Sequence, residues 1–492
     1  MRSDRRRERR EKRREKKDFS RILSIIYSIL LVCFIGLLIW LNVLPAKYLY
    51  PLIGVLILAS IFIVPVMYSK HGKPERKKIA TIVAAFLILV FGVGTYYLGA
   101  TLNFLGDITS AVGPKETFYV LVKNDSPLQK VDELSQKTVS AHATVDKVYA
   151  EARTKLTEDV AVEFEYYTDL QLLVDDIIVG NKEAGFISAA SYESINGDDG
   201  TIEEKVKILH KVSVPLESDR AAKNVDVTKE SFNVLISGID VAGNIDTISR
   251  SDVNMVATIN PRTKKVLLTS IPRDYYVKLP SKEAYDKLTH SGLYGTNETV
   301  AAVEEALGIE INYYVKVNYS TVIKLVDAIG GIDINSPYSF STHGMKAQYT
   351  FAAGPIHLDG AQALAYSRER KSWADGDMRR NENQQLILEA ILKKCTSSST
   401  ILSEYTSILN AVKNNIETDM SSKSMRALVK MQLNDMASWD IERYALKGIP
   451  DSKFCYALGL NASVVNVDET LVAKALDKIL SVQKGEVQAD EN

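Results

Sequence analysis

Arginine and aspartate gather at the ends of apolar runs in the second half of this chain. Asp240 follows Ser237-Gly238-Ile239 directly after a strand-like run, and Asp246 comes six residues later. Arg250-Ser251-Asp252 precedes the next run, and Ile271-Pro272-Arg273-Asp274 closes a third. Arg368-Glu369-Arg370 ends a helical stretch; Asp377, Arg379, Arg380, Gln384 and Gln385 follow. A guanidinium is a planar fork that suits phosphate oxygens and stays charged at any working pH. Carboxylates beside such arginines can hold Mg²⁺, a hard ion that takes one or two carboxylates together with substrate phosphates. The constellation points to a pyrophosphate held by several arginines and one Mg²⁺. A single Arg–Asp neighbour would be an ordinary solvated ion pair. Four clusters at the ends of apolar elements are harder to explain that way. His290 is a further candidate for proton transfer, although a lone loop histidine is more often structural.

Missing motifs narrow the class. No GxxxxGK[ST], HExxH or GxSxG occurs, so three common enzyme classes lose their sequence support. The cysteines are Cys33, Cys395 and Cys455, without a CxxC. Neither a zinc module nor a disulfide scaffold fits, and at most one disulfide is available outside the apolar N-terminal segment. His142 and His210 stand alone and read as surface or capping residues.

These residues need elements to position them. The chain has 492 residues, 46% hydrophobic and 25% charged, enough for two to four domains and a sizeable core. Its net charge of −1 hides an asymmetry, because residues 1–17 carry eleven Arg/Lys against four Asp/Glu. The rest is acidic, which argues against a nucleic-acid binder. Ile22–Leu44, Tyr48–Met67 and Ile79–Ala100 are apolar runs, each long enough to cross a membrane as a helix. The basic tail and the basic loop Ser69–Lys78 place the N-terminus in the cytoplasm, so that everything after Ala100 is expected outside.

Two α/β regions follow. In the first, Thr117–Val122, Ala184–Ile187 and Val206–Leu209 read as strands, and Val145–Lys155 and Leu170–Val179 as helices stopped, for the second, at Gly180. Glu217–Glu230 reads as a linker. In the second, Phe232–Ile236, Val253–Ile259, Val266–Ile271 and Tyr313–Val317 read as strands. Val300–Leu307, Ser320–Ile329, Ala361–Tyr366 and Asn383–Lys394 read as helices. This alternation predicts a three-layer (α-β-α) sandwich. The expected organisation is a basic cytoplasmic tail (1–20), three transmembrane helices (21–100), an extracellular α/β accessory domain (101–225), a catalytic α/β domain (226–482) and a disordered end (483–492).

Phe232–Asp240, Arg250–Asp252, Ser270–Asp274, Lys287-Leu288-Thr289-His290, LVDAIGGIDI at Leu325–Ile334, GAQALAYSRER at Gly360–Arg370 and Asp377–Gln385 together resemble the LytR-CpsA-Psr family in order and spacing. The resemblance covers roughly residues 231–395. Three spans and an accessory segment resemble the family's capsule-locus members. The accessory stretch is similar to a module named after a DNA polymerase processivity factor, a likeness of fold for a segment expected outside the membrane. Two positions depart from the family pattern: Asn383, where many relatives carry Arg, and Thr289, where many carry Asn.

The resemblance implies a phosphotransferase that moves capsular polysaccharide from a polyprenyl-pyrophosphate carrier to peptidoglycan. Pyrophosphatase activity would be a side reaction when water replaces the acceptor. It places Mg²⁺, or Mn²⁺ in its stead, on Asp240 and Asp252, and assigns catalysis to Arg273, Asp252 and Asp240. It maps the pyrophosphate clamp onto Arg250, Arg273, Arg368, Arg370, Arg380 and Gln384, with the prenyl chain in an apolar tunnel. Partners are the lipid-linked polymer, peptidoglycan, membrane lipid and other capsule-locus membrane proteins, without nucleic acid. The alternative is a non-catalytic membrane regulator of capsule synthesis.

Overall fold

A computed structural model describes residues 2–486 except 43, 70–72, 110–114, 144–146, 197–201, 216–221, 240–244, 246–248, 344–346, 398–403 and 413–414. The chain divides into two compact units, Met1–Gly106 with Ser422–Ala437, and Asp107–Ser421 with Ser438–Asn492.

The first unit holds helices α1 (Arg2–Leu41), α2 (Ala46–Tyr68) and α3 (Pro74–Thr109). Within them, Phe19–Leu41, Ala46–Tyr68 and Pro74–Gly99 are long and apolar enough to cross a membrane. These are the three expected runs with shifted ends. α1 stops short of Leu44 because Asn42 takes a φ of 51° and Leu44 precedes Pro45, and both disfavour continuing a helix. Pro74 starts α3 inside the basic loop, where its missing N–H costs nothing. Tyr27, Leu31, Phe34 and Leu38 meet Leu49, Leu56, Ile63 and Met67 of α2 and Ala84 and Phe91 of α3. Trp40, Phe62, Phe86 and Leu89 stay exposed, so the helices are apolar all round, as membrane spans are.

In the second unit, β1 (Lys115–Lys123), β2 (Thr138–His142), β3 (Glu163–Tyr167), β4 (Gly185–Ser188) and β5 (Val206–Pro215) form a sheet in the order β3-β2-β4-β1-β5. Helix α4 (Lys147–Asp159) packs Tyr149, Ala152 and Leu156 on Phe118, Val120 and Phe186. Helix α5 (Leu170–Val179) packs Leu173, Val174 and Ile177 on Leu121 and Ile187, and α6 (Ala189–Asn196) follows β4. α5 has the bounds its periodicity predicts. Asp169 caps it through the Leu172 N–H at 3.0 Å, and Gly180, at φ 91°, ends it. β2 and β3 escape the hydrophobic pattern. β2 is five residues long, and β3 alternates Glu163 and Glu165 with Phe164 and Tyr166.

A second sheet runs β16-β11-β6-β7-β8-β17. Its strands are β6 (Phe232–Ile239), β7 (Ser251–Asn260), β8 (Lys265–Ile271), β11 (Tyr313–Asn318), β16 (Ile416–Thr418) and β17 (Asp440–Ala445). Four two-stranded ribbons surround it: β9–β10 (Tyr276–Leu279, Ala284–Lys287), β12–β15 (Ile332–Ser336, Gly354–Leu358), β13–β14 (Phe340–Ser341, Thr350–Phe351) and β18–β19 (Gly448–Cys455, Leu460–Val467). The helices are α7 (Leu288–Ser291), α8 (Thr296–Leu307), α9 (Tyr319–Ala328), α10 (Gly360–Arg368), α11 (Gly376–Thr396), α12 (Tyr405–Val412) and α14 (Glu469–Lys484); α13 (Ser422–Asp435) belongs to the first unit. β11 is parallel to β6, and β7 is antiparallel to both β6 and β8. The C-terminal ends of β6, β8 and β11 therefore meet at the edge where β7 begins. Leu235 and Val256 join α8 and α14 in one core. α9, α10 and α11 share another with β12 and β15.

Cys33, Cys395 and Cys455 are all unpaired thiols. Burial pushes Cys395 up to about 11 and Cys455 up to about 12, so neither is a reactive thiolate.

Candidate active site

Of the predicted residues, Asp252, Arg273, Arg368, Arg370, Arg380 and Gln384 converge on one cavity beside the ends of these strands. β7 pairs Val253 with Gly238 and Ser251 with Ile239, skipping Asp252. This bulge aims the Asp252 side chain away from the ladder. Arg273 follows the end of the adjacent strand β8, beyond Pro272, and its Nη1 donates to Asp252 Oδ1 at 3.2 Å. Thr289, on α7, donates its hydroxyl to the same oxygen at 2.8 Å and its N–H to the Arg273 carbonyl at 2.8 Å. The short helix thus locks Asp252 and Arg273 together. Burial alone would raise the Asp252 carboxyl; the guanidinium groups of Arg273, Arg250 and Arg380, with the Thr289 hydrogen bond, outweigh it and hold the group below the usual carboxylate value.

A cavity of about 780 Å³ opens beside this pair. Its walls include Asp252, Arg273, Arg368, Arg370, Lys371, Arg380 and Gln384. Five cations thus face one carboxylate among the described lining residues. Two helices each carry part of the charge and part of the apolar depth. Along α11, Arg380, Gln384, Ile387, Leu388 and Ile391 lie on one face. Along α10, Ala361, Leu364, Ala365 and Arg368 do the same in the opposite polarity order. Val322 and Ile323 of α9 and Ile236 and Met255 of the sheet complete the apolar part. One end of the cavity suits an anion and the other a hydrocarbon.

Positioning is local. Arg368 lies over the Tyr319 ring, 4.2 Å from its centroid. Glu369, between the two lining arginines, turns inward. Its carboxylate accepts the His343 N–H at 2.7 Å and the Ser372 N–H at 2.9 Å. A Cβ at Gly376 would sit 1.8 Å from the Arg370 carbonyl oxygen, so glycine is needed there for the chain to pass. Arg380 is buried, with Nη2 3.0 Å from Asp377 Oδ1. Its Nε has no hydrogen-bond partner among the described residues.

Not every candidate reaches the cavity. Asp240 and Asp246 lie outside the described residues. Arg250 acts on Asp252 through its charge without lining the wall. Arg379 binds Tyr338, Asp375 and Glu382 instead. Gln385 donates to the Leu268 and Tyr444 carbonyls at 2.9 and 2.8 Å, fastening α11 to the sheet. His290 is buried and hydrogen-bonds Asp286 at 2.6 Å, whose other oxygen accepts the Ala457 N–H. Its geometry is that of a structural histidine. His343, Tyr319, Lys371 and Thr289 are site residues that the charge pattern alone did not single out. Thr289 stands beside His290 in a quoted motif, yet only the fold reveals its bond to Asp252.

The family model described as LytR_cpsA_psr family matches residues 197–478. The chain belongs to the LytR-CpsA-Psr family. A relative from Enterococcus faecalis, named polyisoprenyl-teichoic acid–peptidoglycan teichoic acid transferase TagU, is 41% identical over 203 residues, 41% of this chain and 65% of that protein. The Bacillus mycoides protein of the same name is 36% identical over 233 residues, 46% of this chain and 74% of its own. The crystal structure of B. subtilis TagU is 30% identical, covers 53% of this chain and 100% of that one, and gives a TM-score of 0.41. Within the LytR-CpsA-Psr match lie both the cavity and every described clamp candidate.

Thr289→Val should lower stability by about 1.5–3 kcal/mol, the range for a hydrogen bond to a charged group. Asp252 titrates below its unfolded value, so it stabilises at neutral pH and that contribution fades as pH falls through its folded value. Losing Thr289 moves the folded value upward, and acid unfolding followed by circular dichroism should begin at a higher pH than in the native chain. An unchanged acid midpoint would remove Thr289 from the support of Asp252.

Proposed function

We propose that this protein is a membrane-anchored phosphotransferase that moves a glycopolymer, capsular polysaccharide, from a polyprenyl-pyrophosphate carrier to peptidoglycan. The observation that carries this reading is the lining of one cavity, which brings five cationic side chains and Asp252 together with aliphatic ones on α9, α10, α11 and the sheet. Such a site matches an amphiphile with an anionic head. The Enterococcus and Bacillus relatives, named for a polyisoprenyl-linked teichoic acid and peptidoglycan, support the same substrate class. The basic tail and the Arg/Lys-rich loop support an orientation with the N-terminus in the cytoplasm and the accessory and catalytic domains outside.

In this reading Arg273, Arg368, Arg370 and Arg380, with Gln384, hold the pyrophosphate and neutralise the charge that develops on its oxygens, while Arg250 acts through its charge on Asp252. An acceptor hydroxyl attacks the sugar-proximal phosphorus, the bond to the bridging oxygen breaks, and prenyl phosphate leaves. The hydroxyl proton passes to solvent or a nearby base. The polymer ends as a phosphodiester on the wall sugar. Water in place of the acceptor gives pyrophosphatase activity.

Asp252 is ionised, buried and set among guanidinium groups, the hard-oxygen environment that Mg²⁺ shares with phosphates. Among the described residues no group of three His, Cys, Asp or Glu side chains is placed to hold a metal, so the fit requires phosphate oxygens in the shell. Asp252, with Asp240, would hold the ion, which when bound supplies Lewis-acid charge neutralisation. Purified full-length protein given a lipid-pyrophosphate oligosaccharide and peptidoglycan fragments should release prenyl phosphate and form a phosphodiester. EDTA should stop turnover, and Mg²⁺ or Mn²⁺ should restore it. Turnover unchanged in EDTA would leave an arginine-only clamp, and binding without transfer would make the protein a sensor.

A further inference from the structure

Helix α13 (Ser422–Asp435) has no part in the cavity, and it groups with the membrane-spanning helices although it lies more than 300 residues beyond them in sequence. Two contacts fix its place within that unit. Lys430 Nζ lies 2.7 Å from Asn42 Oδ1, and Lys47 Nζ donates to the Asn434 carbonyl. Asn42 and Lys47 flank the turn between α1 and α2, so α13 lies where those two helices end. At 14 residues it is too short to span a bilayer. Its sequence is two-sided. Met425, Leu428, Val429 and Leu433 recur at helical spacing, and each keeps partial exposure. Lys423, Arg426 and Lys430 recur at i, i+3 and i+7 on another face, and the first carboxylate of the helix is Asp435 at its end.

We propose that α13 is an interfacial helix that binds anionic phospholipid in the leaflet reached by the α1–α2 turn. Its apolar side rests among acyl chains, and Lys423, Arg426 and Lys430 meet lipid phosphates. A short amphipathic segment with cations on its polar face is the composition such helices have. Lipid is favoured over a protein partner because the ends of two spans, which lipid must surround, lie beside it. The reading requires only that the spans sit in a membrane and is independent of the transfer reaction.

The test uses the full-length chain in nanodiscs of phosphatidylcholine alone or with added phosphatidylglycerol, with hydrogen–deuterium exchange followed over residues 422–435. About tenfold slower exchange is expected with the anionic lipid, given that each basic residue near such a surface contributes roughly fivefold in binding. The combined variant Lys423→Gln, Arg426→Gln, Lys430→Gln should erase the lipid dependence while exchange in β6–β8 stays native. Equal exchange of the native chain in the two discs would overturn the proposal, and that comparison needs no variant. Slowing by inorganic phosphate in phosphatidylcholine discs would also overturn it, by making the cations a free-phosphate site.

Discussion

Cells whose only copy carries Arg273→Lys are expected to release their polysaccharide into the medium nearly as fully as cells with Arg273→Ala. Arg273 is held at the end of β8 with its Nη1 on Asp252 and Asp274 Oδ2 3.7 Å from its Nε. Its side chain is only 12% exposed, so its orientation is set before substrate arrives. Lysine keeps the charge but loses the planar fork that can serve Asp252 and a phosphate together. Removing one such preorganised contact costs about 2–4 kcal/mol of transition-state stabilisation, roughly 30- to 900-fold in rate. The two variants should separate in stability. Arg273→Ala leaves the buried Asp252 carboxylate without its nearest cation, and breaking a buried pair costs about 3–5 kcal/mol. Lysine retains a partner charge and should unfold closer to the native temperature. Wall-bound polymer, measured after cell-wall digestion, would decide the matter: near-normal attachment in the Lys variant would sink the bidentate role.

The legible parts of this molecule are those where one physical signal dominates. Three runs of apolar residues are each too long for anything but a membrane span, and the structure shifts only their ends, by proline and by Asn42. α5 was legible because cap, periodicity and glycine stop agree. β2 and β3 were not, because a short strand and a charged alternation give no buried stripe. In the candidate site, arginine and aspartate at strand ends were visible as types, and Asp252, Arg273, Arg368, Arg370, Arg380 and Gln384 do come together around one cavity. Which neighbours support them was not visible. Thr289 reaches Asp252 across 37 residues, Tyr319 lies 49 residues from Arg368, and no local pattern encodes either distance. The cavity walls show the same limit. Val300–Leu307 and Ser320–Ile329 are both apolar on more than one side, which fits a core helix and a cavity wall alike. The structure puts Val300, Val303 and Leu307 into the core with Leu235 and gives the cavity Val322 and Ile323. α10 and α11 contribute more than α9 does, and their faces change from apolar to cationic along one helix. That change dilutes the amphipathic signal on which sequence reading depends.

That change along a helix also sets the second large expectation: the protein should carry a polyprenyl phosphate through gentle purification. Burial of hydrocarbon is worth about 0.8 kcal/mol per CH₂, so two or three isoprene units within the apolar end would hold the lipid through several washes. Mass spectrometry of denatured protein should then release it. Ala365 lines the cavity on α10, one turn before Arg368, and is otherwise buried. Ala365→Trp should fill the apolar end and abolish lipid retention. Because the added ring enters existing space, the melting temperature should fall less than the 1–3 kcal/mol of overpacking in a closed core implies. Ala361→Trp, at the exposed start of the same lining face, offers a second block with less risk to folding. In either variant a short water-soluble pyrophosphate should still reach the arginines, so its hydrolysis should survive while transfer from the long-chain carrier is lost. If native protein never yields lipid and turns over short and long pyrophosphates equally, the apolar walls have no part in recognition, and the carrier is not a polyprenyl lipid.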